Sequence, residues 1–297
     1  MKSEQLLKKN LKYKLLILGG DGYIAQHLKN HLEEYFIVKC ISSKDVNYHD
    51  KRTLWRYLCI DFSPTHVINC SGFTGRPNID EAENKKDVCW KLNVTSPLMV
   101  ASICDRLAIR YIHVGSGCIY SGYDKNYTEE DTPDFGLWSD ESSFYSKTKH
   151  AFELVTEHIP VKHVRIRMPL SSIQDERSYL SKIKKYNNLI DYRNSKTYVK
   201  DLCGFIQALI KDSKINWFVN EKFNVVNPDP LYTSEICGMM NKHGMGNDNW
   251  NYVPMDEIPI KAGRSNCVLN GTKVNKIYQM RTEEEAIEEI LNETDNQ

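Results

Sequence analysis

Two short runs of the chain carry side chains whose types and spacing suit proton transfer. Tyr145 and Lys149 stand four residues apart, a spacing that places two side chains on one face of a helix. Because an ammonium group favours a neighbouring phenolate, we expect Lys149 to lower the pKa of Tyr145. Ser116 offers a hydroxyl to a ketone oxygen, and Cys118 adds a thiol. These groups suit reduction of a ketone by a nicotinamide cofactor, with the thiol available for a second reaction on the same substrate.

Cys118 has two interpretations. Side chains alternate along an extended segment, so the thiol is predicted to face the same ketone as Ser116. As a thiolate it would act as a base, and Lys149 is a candidate for the cation that favours this form. The alternative is a small buried hydrophobe, because free cysteines often pack in protein cores.

A glycine-rich turn precedes both runs. Gly19, Gly22 and Ala25 follow the apolar residues 14–18 in the pattern GxxGxxA and open a stretch with helical spacing. Glycines let the backbone approach a pyrophosphate, and a helix N-terminus supplies free N–H groups. We therefore predict a dinucleotide site that includes Gly19, Gly22, Tyr23 and Ile24. An ordinary strand-to-helix turn would have the same spacing.

The residues after the second predicted strand indicate which dinucleotide is bound. An acidic residue there would hold the ribose of NAD, but Ser42, Ser43 and Lys44 occupy this place. Two hydroxyls and a cation suit a 2′-phosphate, which favours NADPH over NADH, although Asp45 follows directly.

Small residues end the next predicted strand. Ser71 and Gly72 stand at that end, where the backbone of a dinucleotide-binding sheet would run along the cofactor. Simple tight packing is the alternative interpretation.

Short apolar runs alternate with helical spacing over the first half of the chain. The predicted strands are 14–18, 36–41, 66–69, 110–116 and 161–167. The predicted helices are 23–34, 51–58, 82–107 with a break or a new first turn at Pro97, and 143–157. This alternation is typical of βαβ units on a parallel sheet. Beyond Pro169 the pattern loosens, with predicted helices at 177–186, 199–211, 233–242 and 282–291 and a strand at 223–226.

The fold class predicted is therefore α/β, a Rossmann-type doubly wound parallel sheet with a smaller C-terminal substrate lobe. We expect residues 12–168 to form the NADP-binding domain and residues 169–297 mainly the substrate lobe, with some later segments free to rejoin the sheet.

Composition excludes several functional classes. The 297 residues include 39 basic and 39 acidic side chains, which argues against general attraction to nucleic acid or membranes. No apolar run approaches the ~20 residues of a membrane span, and residues 1–13 lack the apolar core of a signal peptide. Nine cysteines without a CxxC pair indicate reduced thiols and no metal site. We expect a cytoplasmic protein.

With these motifs in this order, the chain resembles the extended short-chain dehydrogenase/reductase family. The resemblance implies that Ser116 and Tyr145 hold the substrate oxygen, that Lys149 binds the nicotinamide ribose, and that Pro169 also contacts the cofactor. Members that dehydrate nucleotide sugars carry an Asp-Glu pair where this chain has Gly117 and Cys118. A cysteine at the second place is similar to the nucleotide-sugar epimerase/reductases, among them GDP-fucose synthase.

Longer runs resemble a narrower group, the bifunctional 3,5-epimerase/4-reductases that complete UDP-L-rhamnose synthesis. These runs are 74–78, 143–149, 164–169 and 262–266. The resemblance implies UDP-4-keto-6-deoxy-D-glucose as substrate, NADPH as cofactor, and a separate UDP-glucose 4,6-dehydratase upstream. Cys118 would be the epimerisation base and Lys182 the acid, although a solvated basic helix face explains Lys182 equally well.

Substrate contacts and oligomeric state follow from the same resemblance. Candidate substrate-binding residues are Thr74, Arg76, Asn78 and Arg264, the arginines because their forks match phosphate oxygens. A surface or structural arginine is the alternative in each case. Family members often form homodimers through the helix that bears Tyr145, on which Phe144, Phe152 and Val155 are predicted to be exposed; packing within one chain would explain them too.

Two further functions stay open from the sequence. The first is a single-activity nucleotide-ketosugar 4-reductase or a GDP-fucose-synthase-like enzyme that acts on another sugar. The second is a non-catalytic NADP-binding regulatory subunit, which the intact pair of Tyr145 and Lys149 disfavours.

Overall fold

The computed structural model describes residues 12–76 and 78–295. Most of the segment 1–13, for which no signal peptide is expected, lies outside these residues. The described strands are β1 (Lys14–Leu18), β2 (Ile37–Ile41), β3 (His66–Asn69), β4 (Arg110–Ser116), β5 (Gly122–Tyr127), β6 (Val161–Ile166), β7 (Pro169–Leu170), β8 (Asn188–Leu189), β9 (Thr197–Tyr198), β10 (Glu221–Asn224), β11 (Asn251–Tyr252) and β12 (Cys267–Leu269).

The described α-helices run between and after these strands. They are α1 (Tyr23–Leu32), α2 (Lys51–Arg56), α3 (Glu81–Asn84), α4 (Lys86–Trp90), α5 (Ser96–Arg106), α6 (Phe144–Val155), α7 (Tyr179–Lys185), α8 (Val199–Lys211), α9 (Thr233–Lys242), α10 (Thr272–Asn275) and α11 (Glu283–Asp295). Two π-helical turns, Tyr57–Asp61 and Lys91–Thr95, follow α2 and α4, and a short 3₁₀ turn spans Met255–Glu257.

In the described part of the chain, the main sheet has six parallel strands in the order β2-β1-β3-β4-β6-β10. Successive strands leave β1 in opposite directions, so the strand order reverses between β1 and β3. Ligands of doubly wound sheets bind in the crevice at such a point, outside the carboxyl ends of the strands. This architecture confirms the predicted fold class.

Both faces of the sheet are covered, which explains the continuous apolar run of β1. Leu15 and Ile17 face a core shared with α1 and α8, whereas Leu16 and Leu18 face a second core shared with α2 and α5. All four leucine and isoleucine side chains are fully buried. A strand buried on both faces reads as an uninterrupted apolar segment.

The later part of the chain contributes to two places. Helix α8 and strand β10 rejoin the main sheet, where β10 pairs with β6 from Glu221 opposite Lys162 to Asn224 opposite Arg165. Helices α7, α9 and α11 instead surround a separate core that includes Leu180, Ile236 and Ile287. This core forms the C-terminal lobe, which lies over the strand ends.

Two predicted elements differ from those observed. The predicted helix 82–107 consists of α3, α4, a π-helical turn and α5, and Pro97 occupies the first turn of α5, where proline is tolerated. The strand predicted at 223–226 begins instead at Glu221, because the carboxylate of this residue pairs with the buried Lys162 of β6. A polar start of this kind is invisible to an apolar pattern.

Candidate functional site

A cleft of about 1190 Å³ lies between the carboxyl ends of the main strands and the C-terminal lobe. It brings together most of the residues predicted to form a site. Those that line it are Gly22, Tyr23, Ile24, Ser71, Gly72, Thr74, Arg76, Ser116, Cys118, Tyr145, Lys149, Pro169 and Lys182. Those predicted but outside its walls are Gly19, Ser42, Ser43, Lys44, Asn78 and Arg264.

The glycine turn is closely packed at one end of the cleft. Gly19 has a φ of +85°, and a Cβ at this position would lie 2.8 Å from the backbone nitrogen of Ser71. Gly22 donates its N–H to the Gly19 carbonyl at 2.7 Å and caps α1 without any side-chain hydrogen bond. The first N–H groups of α1 therefore point to a site for an anion. Gly19 itself does not line the cleft; it packs against the backbone of Ser71 and so fixes the turn.

Tyr48 lies beside this turn, and sequence analysis did not identify it as part of the site. Its side chain is buried, and its phenol lies close to the Ser71 side chain and the backbone of Gly19. Burial raises the pKa of Tyr48, so the phenol stays protonated. Tyr48 thereby connects the glycine turn to the end of β3.

In the loop after β2, a local contact holds the carboxylate of Asp45. Asp45 Oδ2 accepts hydrogen bonds from both the N–H and the hydroxyl of Ser42, each at 2.8 Å. These bonds lower the pKa of Asp45. The Lys44 ammonium is exposed and lies 3.0 Å from the carboxylate of Asp21, which lines the cleft.

Ser116, Tyr145 and Lys149 meet deep in the cleft. Ser116 is the last residue of β4, and α6 places Tyr145 and Lys149 opposite it. The three side chains are between 5% and 9% exposed. The Ser116 side chain lies close to the Tyr145 phenol, and Lys149 Nζ lies 5.5 Å from the centre of the Tyr145 ring. Helix α6 begins just before them because Ser143 Oγ accepts from the Ser146 N–H at 3.0 Å.

The expectation that Lys149 lowers the pKa of Tyr145 is wrong for this structure. Burial, followed by the neighbouring Cys118, raises the pKa of Tyr145 above its ordinary value. Burial also lowers the pKa of Lys149 to about 8. Desolvation disfavours the charged form of both groups and here outweighs their mutual attraction. Tyr145 is therefore a protonated donor.

Cys118 shares the wall on which the substrate oxygen would sit. Its N–H donates to Ser116 Oγ at 3.1 Å, and its half-buried side chain packs beside Tyr145 and Cys89. The thiol lines the cleft, so the predicted juxtaposition of hydroxyl and thiol is present.

Asn93 is a second residue that sequence analysis missed. The side chain is fully buried; its Oδ1 accepts from the Phe73 N–H at 2.7 Å, and its Nδ2 donates to Thr148 Oγ1 at 3.0 Å. It lies in the π-helical turn Lys91–Thr95, and such turns are frequent at functional sites. An asparagine within an otherwise apolar helical stretch was the available signal. Asn93 fixes α6 against the backbone that lines the cleft.

The opposite wall carries cations. Lys182 on α7 lines the cleft, and burial together with the charge of Arg177 lowers its pKa. Its neighbours Lys184 and Lys185 do not line the cleft, but Lys182 is exposed to solvent as they are, so a solvated basic face still explains it. Arg76 and Arg177 also line the cleft, and Arg177 was not predicted.

Two predicted substrate-binding residues have other partners. The Arg264 guanidinium contacts Asp80 Oδ1 at 2.9 Å and the Ala262 carbonyl at 2.7 Å. Asn78 Oδ1 accepts from the Asp80 N–H at 2.8 Å. Both residues therefore brace the loop at Asp80, and their contact with substrate stays a prediction.

The predicted exposed face of α6 is only partly present. Phe152 is 1% exposed and packs in the core with Leu16 and Val100, so its expected exposure is wrong. Phe144 is half-buried, and Val155 is 46% exposed. Leu154, which is 40% exposed, adds to the apolar surface that α6 leaves open.

Within residues 12–76 and 78–295, no cluster of histidine, cysteine or acidic side chains is arranged to hold a metal ion. None of the helices in that same part of the chain has the length and apolarity that a membrane crossing requires.

Comparison with known proteins places the chain among nucleotide-sugar enzymes. The family model described as RmlD substrate binding domain matches residues 13–296. An Arabidopsis thaliana protein named bifunctional dTDP-4-dehydrorhamnose 3,5-epimerase/dTDP-4-dehydrorhamnose reductase is 34% identical over 223 residues, which cover 71% of this chain and 70% of that protein.

A trifunctional UDP-glucose 4,6-dehydratase/UDP-4-keto-6-deoxy-D-glucose 3,5-epimerase/UDP-4-keto-L-rhamnose-reductase from Arabidopsis thaliana is 33% identical over 226 residues. The match covers 72% of this chain but 32% of that protein, so the chain spans about a third of its length.

Solved structures agree with the observed fold. The L780 UDP-rhamnose synthase of Acanthamoeba polyphaga mimivirus has a TM-score of 0.82 at 26% identity, covering 94% of this chain and 98% of that one. A dTDP-4-dehydrorhamnose reductase from Bacillus anthracis in complex with NADP has a TM-score of 0.78 at 20% identity, covering 95% and 99%.

Proposed function

The chain belongs to the RmlD substrate-binding domain family of extended short-chain dehydrogenases/reductases, and we propose that it converts UDP-4-keto-6-deoxy-D-glucose to UDP-L-rhamnose. Its similarity to the bifunctional protein and to UDP-rhamnose synthase supports a 4-keto-sugar reductase. The 3,5-epimerase activity, the nucleotide and the sugar go further and belong to the proposal.

One observation carries this proposal: Ser116, Cys118, Tyr145 and Lys149 line the same cleft. A reductase needs the first, third and fourth of these groups. A thiol beside the same oxygen site has no role in hydride transfer, but it has one in removing a proton next to a ketone.

Epimerisation would come first. The C4 ketone makes the hydrogens on C3 and C5 acidic, and Cys118 as thiolate removes each of them. The resulting enolate oxygen accepts hydrogen bonds from Ser116 and Tyr145, which stabilise the developing charge. Lys182, on the opposite wall, then returns a proton to carbon from the other face and inverts the centre.

Reduction would follow at the same oxygen. NADPH, when bound, supplies hydride to C4. Tyr145, which burial keeps protonated, gives its proton to O4. Lys149 lies close to the ring, so its positive charge would offset the phenolate left behind and ease this transfer, and it would also hold the nicotinamide ribose.

The residues present fit a dinucleotide phosphate. A side chain at Gly20 would place its Cβ 2.7 Å from the backbone carbon of Ile41, and the first turn of α1 offers N–H groups without a side-chain cap. We propose NADPH over NADH for two reasons. The Asp45 carboxylate already accepts a hydrogen bond from the Ser42 hydroxyl, and the exposed Lys44 lies near the turn. The NADP complex of the Bacillus anthracis reductase supports the same choice.

The diphosphate of the substrate would lie against Arg76 and Arg177, because arginine forks match phosphate oxygens. Both line the cleft, as do Thr74 and Lys182. We also propose that a separate dehydratase supplies the ketosugar, and that the chain acts as a homodimer; light scattering tests the latter.

Product analysis tests the function. The protein is incubated with NADPH and UDP-4-keto-6-deoxy-D-glucose in deuterium oxide, and the nucleotide sugars are identified by NMR. The expected product is UDP-L-rhamnose with deuterium at C3 and C5. A 6-deoxyhexose reduced at C4 with protium at both positions would indicate a simple 4-reductase, and no turnover would reject the proposal.

A further inference from the structure

Arg165 on β6 and Arg167, just beyond the end of that strand, have opposite electrostatic settings. Arg165 is fully buried, and its fork meets Glu153 through Nε to Oε1 at 2.8 Å and Nη2 to Oε2 at 2.6 Å. Arg167 is 1% exposed. Among the described residues, no carboxylate lies within ion-pair distance of Arg167.

In the described part of the chain, the hydrogen-bond partners of the Arg167 guanidinium are all neutral groups. It donates to the Gly117 carbonyl at 3.1 Å, to Ser265 Oγ at 2.6 Å and carbonyl at 3.0 Å, and to Asn194 Oδ1 at 3.2 Å. Its Nε has no hydrogen-bond partner in the described structure. Burying a charge without a counterion costs free energy. We therefore expect the positive charge of Arg167 to stabilise a nearby group.

The stem of Arg167 passes directly under the turn that bears the thiol. A Cβ on Gly117 would lie 3.1 Å from Arg167 Cγ and 3.2 Å from Cδ, so glycine is needed between Ser116 and Cys118. Arg167 also lines the cleft with those two residues. The guanidinium thus holds the Gly117 carbonyl from below while Cys118 faces the cleft.

We propose that Arg167 is the positioning residue that fixes the turn from Ser116 to Cys118 and the permanent cation that stabilises the Cys118 thiolate. The proposal rests on the role given to Cys118 above. It replaces Lys149, the cation expected from the sequence, in that task.

The Arg167 guanidinium keeps its charge in this buried setting. Burial would lower its pKa, but negative charge on Cys267 and Cys118 raises it overall. Burial lowers the pKa of Lys149 to about 8, so Lys149 loses its charge above that pH whereas Arg167 does not. The other titratable and charged groups that share this surrounding are Tyr145, Lys149, Cys89, Cys267, Tyr123 and the buried pair of Lys196 and Glu283.

Alkylation of individual cysteines tests the proposal without substrate or cofactor. The full chain is treated with iodoacetamide from pH 6 to pH 10, and each cysteine is quantified by peptide mass spectrometry. In Arg167→Gln, the alkylation rate of Cys118 at pH 7 is expected to fall about tenfold, equivalent to one unit in the midpoint of its pH profile. Arg167→Lys, which keeps the charge, should stay within about threefold of wild type. Exposed Cys59 is the internal control and should not change.

If Arg167 had only a structural role, Arg167→Gln would lower the thermal stability of the protein but would leave the midpoint of the Cys118 alkylation profile unchanged. A folded Arg167→Gln protein with a wild-type Cys118 profile would therefore overturn the proposal. If that variant does not fold, Ser265→Ala removes the bond at 2.6 Å while keeping the charge; a fall of at least about threefold supports the proposal and no change rejects it. Since the readout needs no turnover, a protein that fails on the ketosugar can still pass this test.

Discussion

The ammonium of Lys149 lies 3.3 Å from the position that a Cβ on Gly72 would occupy. Asn93 Oδ1 lies 3.0 Å from the same point. The backbone at the end of β3, the buried asparagine and the lysine of the Tyr145 pair therefore meet at one spot. A glycine at this position lets Lys149 approach the cofactor side of the cleft.

Gly72→Ala is expected to displace Lys149 and to reduce ketone reduction about tenfold or more, because small errors in the placement of catalytic groups are costly. The measurement is kcat for C4 reduction together with the affinity for NADPH. Gly238→Ala is the matched control: nothing lies within 4 Å of its added Cβ on α9, and alanine favours a helix. Equal rates in both variants would contradict the crowding inferred at Gly72.

Lys149→Met is expected to stabilise the fold at pH 7 while abolishing reduction. Burial lowers the pKa of Lys149 from 10.5 to about 8, which corresponds to a cost of up to about 3 kcal/mol for keeping the charge. Between pH 8 and pH 10.5 the unfolded wild-type chain binds more protons than the folded one, so wild-type stability rises with pH. Urea unfolding should therefore show the advantage of the variant shrinking across this range. An advantage independent of pH would show that the lysine is not desolvated.

The sequence predicted the dinucleotide half well because the signals there are local. The apolar run from Leu15 to Leu18 is typical of a strand buried on both faces. The glycines that follow it, Gly19 and Gly22, predict the turn. The partners of Arg264 and Arg167 could not be predicted, since Asp80 and Ser265 are distant in sequence from the arginines they bind. Which face of a helix turns inward is equally non-local, and this is why Phe152 was expected at the surface.

The predicted direction of the Tyr145 pKa shift was wrong for a related reason. Spacing alone gave Tyr145 and Lys149 as a pair, and attraction between charges suggested a lowered tyrosine pKa. The depth at which the pair lies depends on the C-terminal lobe and on α6 packing, neither of which a motif records. Desolvation then reversed the direction for Tyr145.

Cys118→Ala and Tyr145→Phe should separate the two proposed reactions. Without the thiol, deuterium uptake at C3 and C5 is expected to disappear, while NADPH binding and reduction of a ketosugar that is already epimerised persist. Without the phenol, reduction should fall by ~10²-fold or more, because the proton donor is lost. Cys59→Ala removes an exposed thiol outside the cleft and should match wild type. Undiminished exchange in Cys118→Ala would remove this thiol from the mechanism.

Lys44→Ala should weaken binding of NADPH but not of NADH. The ammonium is 85% exposed, and its contact with Asp21 at 3.0 Å is a surface ion pair, which contributes little to stability. Lys44 can therefore turn to a 2′-phosphate at small cost. We expect KM for NADPH to rise about tenfold with KM for NADH unchanged, and Lys242→Ala, at an exposed position of α9 outside the cleft, to alter neither. A parallel rise for both cofactors would place Lys44 elsewhere on the dinucleotide.

The C-terminal lobe depends on a buried ion pair at the start of α11. Lys196 Nζ contacts Glu283 Oε1 at 2.6 Å, both side chains are fully buried, and Lys196 also donates to the carbonyls of Asn194 and Leu231. Removing one partner leaves an uncompensated charge, so Glu283→Leu is expected to lower the free energy of unfolding by about 3–5 kcal/mol.

Lys200 pairs with Glu289 on the same helix but is 51% exposed, so Lys200→Ala should cost less than about 1 kcal/mol. Urea unfolding of both variants measures the difference, and equal small losses would mean that water reaches Glu283. Because Asn194 also holds Arg167, Glu283→Leu should in addition reduce alkylation of Cys118, which links the stability of this lobe to the thiol in the cleft.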